Sequence, residues 1–140
     1  MRKIETNLVG QEFSFAELDD VLHDLGFIRG GKWDYDYAAY DYPLAVTKLN
    51  ESQFLRINTH PTTGKIEERG CVVMINDICL VGGIYHHGVQ DTVKVDRQML
   101  NRSQELLQQL GAFYQFPVEI SFEAAENSAE KQETNMRPTA

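Results

Sequence analysis

From Gly70 to Val89 the chain is dominated by apolar and β-branched residues, in the stretch GCVVMINDICLVGGIYHHGV. Two runs, Cys71 to Ile75 and Ile78 to Ile84, flank Asn76-Asp77. Both short polar side chains tolerate left-handed backbone, so the pattern predicts an antiparallel hairpin turning on these two residues. In that register Val73 faces Leu80, with Cys71, Ile75, Ile78 and Ile84 on the same side. Met74 faces Cys79, and with Val72, Val81 and Tyr85 forms the other side. Neither side is polar, which predicts a ribbon covered front and back, or one that offers an apolar surface to a partner. Cys71 and Cys79 fall on opposite sides, which forbids a disulfide between them.

Elsewhere the periodicity changes. Residues 3–9 alternate loosely as a first strand. Phe15, Leu18, Val21, Leu22 and Leu25 then recur at helical spacing, with Glu17, Asp20 and Asp24 outward. A helix over 15–25 follows, opened by a Ser14/Glu17 capping box with a Phe13–Leu18 staple, and closed by Gly26. Trp33, Tyr35 and Tyr37 share one parity, whereas Tyr40, Tyr42, Leu44 and Val46 share the other, so a bend near Ala38-Ala39 is implied. Strands are expected over 39–48, with Pro43 marking an edge or bulge, and over 53–59. Asn50 to Ser52 and Pro61 to Gly64 read as turns. A last helix opens at Thr92 or Asp96 and stops at Gly111, with Val95, Met99, Leu106 and Leu110 as its stripe, widened by Leu100, Ser103 and Leu107. At about 1.5 Å per residue it spans roughly 22–27 Å, enough to cross a four-stranded sheet. Val118, Ile120 and Phe122 alternate with polar residues, as a short strand or as an arm on a neighbour. The expected organisation is one α+β domain over 1–122 and a polar, flexible tail over 123–140.

Composition narrows the function. The net charge of −8 argues against nucleic acid, and the thirteen Lys and Arg form no stripe. The first 51 residues hold ten acids and five bases, so acidity is not confined to the tail. No run is long and apolar enough to span a bilayer, and no membrane partner is expected. Two Cys within apolar strands fit a reducing cytoplasm.

Three motifs, LVGQEFSFAELDDVLHDLGF, GKWDYDYAAYDYPL and GGIYHHGV leading into the last helix, resemble the YugN-like family, small uncharacterised proteins of bacilli. The resemblance covers residues 5–111. It implies a strand, a helix, four antiparallel strands and a helix, like the TATA-box-binding protein, with both helices on one face of the sheet. It implies no activity, and the negative charge bars importing DNA binding with the fold.

Two constellations are candidates for binding a ligand or partner. Trp33, Asp34, Tyr35, Asp36, Tyr40 and Tyr42, joined by Tyr85, interleave rings with carboxylates suited to a flat or cationic ligand. The plainer alternative is rings packed under a helix with the acids solvated. His86 and His87, with His60 or an acid, form the second. Adjacent side chains in extended backbone point apart, so this pair holds a metal only if the chain turns at Gly88. No catalytic motif or cofactor fingerprint is present; neither Cys sits at a helix start, and Gly82-Gly83 reads as a place where a ring or helix approaches the strand. The expectation is a non-catalytic cytoplasmic homodimer, joined through a sheet face or edge, with a small-molecule ligand as a further possibility. The competing class is an enzyme or metal protein built on His86, His87 and nearby Asp residues.

Overall fold

The computed structural model describes residues 2–30, 35–46, 51–84, 88–90 and 96–122. Three long strands make the frame: β5 (Ala38–Val46), β6 (Glu51–Thr63) and β7 (Val72–Ile84). They are antiparallel neighbours in the order β7-β6-β5, with β4 (Ile28–Arg29) beyond β5. Because β6 occupies one edge of β7, three short strands share the other: β3 (Glu12–Ser14), β1 (Arg2–Lys3) and β8 (Gly88–Gln90). A separate two-stranded ladder joins β2 (Glu5–Thr6) to β9 (Ile120–Ser121). The segment expected as a strand or an arm on a neighbour is thus a strand paired within its own chain.

Strand β6 alternates strictly from Ser52 to His60. Gln53, Leu55, Ile57 and Thr59 are buried, while Ser52, Phe54, Arg56, Asn58 and His60 are half-buried. The buried parity continues across the sheet to Tyr40 on β5 and to Val73, Ile75, Ile78 and Leu80 on β7. On this inner face the sheet shares one core with α1 (Phe15–Leu25) and α2 (Arg97–Phe113), through Leu18 and Leu22 of the first and Leu100, Leu106 and Leu110 of the second. An antiparallel sheet with one face roofed by helices produces this alternation wherever the open face meets water.

The hairpin expected at Asn76-Asp77 does not form. Residues 72–84 are one strand, and Asn76 is the extra residue of a bulge, since Asn58 pairs with Asp77 while Thr59 pairs with Ile75. The polar pair is satisfied across the ladder: Asn58 Nδ2 donates to Asp77 Oδ1 at 2.6 Å, and the His60 ring meets the Asn76 amide oxygen. The predicted division of side chains nevertheless survives. One inserted residue moves the inner face from odd to even positions, as a two-residue turn would. Cys71 and Cys79 accordingly lie on opposite faces, both as free thiols.

Other local signals are used differently from their usual role. Strand β3 runs straight into α1, so the N–H of Phe15 donates to the Cys71 carbonyl at 2.9 Å. Ser14 is the N-cap, but its side chain makes no capping bond, so the predicted capping box is absent. Phe13 instead packs on Tyr114, with ring centroids 4.7 Å apart. Gly26 ends α1 as expected, at φ 106°. At the start of α2, Asp96 accepts from the Met99 N–H at 2.8 Å. This helix passes through Gly111 to Phe113, because Gly111 is a close-approach site and not a stop: a Cβ there would lie 2.1 Å from Val118 Cγ2. Strand β6 begins at Glu51 and passes through Pro61 to Thr63, so these residues are strand where turns were expected, with a second irregularity at Thr62, while Asn50 lies outside the described residues. The register also shifts between Pro43 and Ala45 on β5, where Pro43 suggested it.

Candidate functional site

The outer face of the sheet carries the best-organised polar cluster. Asp41 on β5 and Arg56 on β6 are direct cross-strand partners. The guanidinium donates twice, Nε to Oδ1 at 2.7 Å and Nη2 to Oδ2 at 2.8 Å, a bidentate pair with side chains 22% and 26% exposed. The bond to Asp41 raises the pKa of Arg56, against the opposing effect of burial. One row along, Tyr37 donates to Asn58 Oδ1 at 2.5 Å, and Asn58 in turn donates to Asp77. Partial burial raises the Tyr37 phenol, reinforced by the carboxylates of Asp77 and Asp41 and offset by Arg56. Ile28, opposite Asp41 on β4, is 64% exposed, and Tyr37 is 43% exposed.

Along β7 this face is closed at Cys79 and Val81, while Val72, Met74 and Asp77 are half-buried. Cys79 is 0% and Val81 1% exposed, although both lie on the parity predicted to need a partner. Burial pushes the Cys79 thiol up to about 11, with Asp77 adding to the shift, so it is no nucleophile near neutrality. Burial, followed by Glu68, also raises the Cys71 thiol. The most exposed part of this face lies beside β5 and β6 and is charged at Asp41 and Arg56, whereas the ribbon expected to be apolar on both sides is β7.

A second group lies where α1 meets β4 and the segment before β7. A cleft of about 310 Å³ is bordered by Phe15, Asp19, Asp20, Glu67, Glu68 and Arg69, among others. Arg29 reaches this region, lying 5.4 Å from the Phe15 ring centroid, 3.7 Å from Asp19 and in an ion pair with Glu67. Tyr40 donates to Asp19 Oδ1 at 2.6 Å. Burial above all, then that bond to Asp19, drives the Tyr40 phenol far above its ordinary value. Of these groups Asp19 and Glu67 are engaged by Arg29, which ties β4 to α1 and to the segment before β7.

The residues singled out by sequence separate accordingly. Tyr40 is only 2% exposed and is a core residue, with no surface to offer a ligand. Tyr42 packs between the Phe27 ring, at 5.5 Å, and Arg102 on α2, whose guanidinium donates to the Tyr42 hydroxyl at 2.8 Å. Tyr35 and Asp36 are exposed and precede β5. Trp33, Asp34, Tyr85, His86 and His87 lie outside the described residues. Gly82 leaves room for a side chain, that of Gln53, where a ring or helix was expected. Among the described residues no three His, Cys, Asp or Glu gather in a way that could hold a metal ion. Tyr37 and Asp41 lie within the candidate stretch Trp33 to Tyr42, whereas their partners Arg56, Asn58 and Asp77 were missed. The strand expected over 53–59 already put Arg56 and Asn58 on one parity, but which groups they meet is legible only from the register with β5 and β7.

The YugN-like family matches residues 3–132. The chain is 31% identical to the uncharacterized protein YugN of Bacillus subtilis (strain 168) over 91 residues, which cover 65% of this chain and 66% of that one. It is 28% identical to the uncharacterized protein YlbA of the same organism over 108 residues, 76% of this chain and 88% of that one. The crystal structure of the uncharacterized conserved protein YugN from Geobacillus kaustophilus HTA426 superposes with a TM-score of 0.65, at 24% identity, covering 76% of this chain and 87% of that one. That likeness establishes the fold: α+β, with a large antiparallel sheet and two helices.

Proposed function

This chain belongs to the YugN-like family, and we propose that it serves there as a small cytoplasmic binding module without chemistry of its own, acting as a homodimer. One observation carries the reading. The titratable side chains best placed for work on the described surface are already engaged, Asp41 with Arg56 and Asp19 with Tyr40 and Arg29. Both free thiols are buried as well. A recognition surface needs groups held in place by such bonds.

The finer fold assignment belongs to the same reading. With the short β1, β2, β8 and β9 set aside, β3, α1, β4 to β7 and α2 follow the strand–helix–four strands–helix plan, in the sheet order β3-β7-β6-β5-β4. That supports a TATA-box-binding-protein-like arrangement, without DNA binding. No helix of the described residues is long and apolar enough to cross a membrane.

Light scattering of the untagged protein tests the homodimer, and a strict monomer at all concentrations defeats it. Native mass spectrometry of freshly purified protein tests for a co-purified small molecule. Stoichiometric zinc or manganese, lost in His86→Ala, would replace this reading with the metal-protein or enzyme alternative built on His86, His87 and nearby acids.

A further inference from the structure

We infer that two copies associate through the outer faces of β5 and β6, with Asp41 of each copy set against the partner's Arg56. This rests on the homodimer reading above and names its surface. Both edges of the sheet are poor docking sites. The outer edge of β7 is taken by β1, β3 and β8, while that of β5 is shortened by β4, Pro43 and an adjacent bulge. The inner face is the core. The outer face near β7 is already buried at Cys79 and Val81. The most exposed large side chains of this face, Ile28 and Tyr37, lie at the β4–β5 side, and the charge pattern beside them is self-complementary.

Asp41 and Arg56 stand side by side on adjacent strands, one negative and one positive. A two-fold axis along the strands, midway between β5 and β6, places each carboxylate opposite the other copy's guanidinium. The same side chains then serve both copies, as an isologous interface requires. Around this centre lie Ile28 and Tyr37, with Pro43 and its cross-strand partner Phe54, the aromatic and aliphatic types that supply contact area at interfaces. Nine residues each of β5 and β6 and the two of β4, at about 3.3 Å rise and about 4.8 Å spacing, give a footprint of roughly 300 Å² per copy. That is well under half of the roughly 800 Å² each partner buries in a standard interface, so the pairing is reversible and weakens with salt.

Sedimentation velocity of the full chain, from about 1 µM to about 200 µM, tests this. Wild type should pass from monomer to dimer across the series. Arg56→Asp and Asp41→Arg should each weaken self-association at least about tenfold. Mixed in equal amounts, the two variants should form a heterodimer, because one face is then wholly negative and the other wholly positive. Loss of an internal structural pair cannot produce that rescue. Ile28→Lys, at an exposed rim position, should weaken dimerisation with an unchanged melting curve, and serves if the charge variants fold poorly. Dimers that persist in all three variants would overturn this surface while leaving the homodimer intact. A wild type that stays monomeric throughout would overturn both.

Discussion

The Tyr40 hydroxyl donates to Asp19 Oδ1 at 2.6 Å, tying the middle of β5 to the second turn of α1 from beneath the helix. Tyr40 is 2% exposed, whereas the Asp19 side chain remains about one-third exposed and also faces Arg29. In Tyr40→Phe the ring keeps its packing and Asp19 keeps a cation and access to water. The expected loss is about 1 kcal/mol by urea denaturation. Tyr40→Ala also leaves a cavity and should cost about 3–5 kcal/mol. Equal losses in the two variants would mean that the ring contributes little.

Gly111 presents two opposing effects. Alanine is favoured over glycine within a helix by about 1 kcal/mol. Here the added Cβ would meet Val118 Cγ2 at 2.1 Å and the Phe116 carbonyl oxygen at 2.7 Å. The carbonyl belongs to backbone that returns along α2, so overpacking wins. Gly111→Ala should destabilise by about 1–3 kcal/mol, with Val118→Ala relieving only part of the loss. A raised melting temperature in Gly111→Ala would contradict the observed packing.

Gln53 is buried on the inner face beside Gly82, and its Oε1 has no hydrogen-bond partner among the described residues. Replacing a buried, unsatisfied polar group by an apolar one of similar shape removes a desolvation penalty. Gln53→Met should leave stability unchanged or raise it by about 1 kcal/mol, read from the urea midpoint. A loss above about 2 kcal/mol would show that the amide is satisfied in solution.

Burial raises the Cys79 thiol from its ordinary value of 9.0 to about 11. Below pH 9 the thiol is protonated in both folded and unfolded chains and contributes no pH dependence. Between pH 9 and about 11 the unfolded chain has lost the proton and the folded chain still holds it, so stability falls as pH rises. The full effect is about 2–3 kcal/mol. Cys79→Ala should flatten that part of the stability profile. In wild type, Cys79 should resist alkylation at pH 8 until the protein is unfolded.

Asn76 holds the change of parity in β7. Asn76→Ala keeps the residue count and loses only the contact with His60, at a cost of about 1 kcal/mol or less. Deleting Asn76 would turn either Cys71, Val73 and Ile75 or Ile78 and Leu80 away from the core, and the chain should then fail to fold, as seen by circular dichroism.

Much of this architecture is written in local periodicity. The stripe Phe15–Leu18–Val21–Leu22 and its Gly26 stop, the Met99–Leu106–Leu110 stripe of α2 and Asp96 as its start are where their spacing placed them, while Val95 and the alternative start Thr92 lie outside the described residues. The two sides of the strand around Val73 and Leu80 were also separable, because burial imposes a period and a period is visible in sequence. The candidate site was less legible. Tyr40 had the composition of a binding aromatic but the position of a core residue, and Arg56 attracted no notice because its partner Asp41 lies on another strand.

What sequence alone determined, then, is which side chains turn inward together. Whether Asn76-Asp77 reverses the chain or merely bulges it is invisible at that level, since either event exchanges odd positions for even and leaves the same pattern. The choice is made by Asn58 and His60 on β6, which satisfy the polar pair across the ladder. Gly111 was likewise open to two readings until Val118 returned against it. Such outcomes depend on groups distant in sequence meeting in space, and only tertiary structure decides which of them meet.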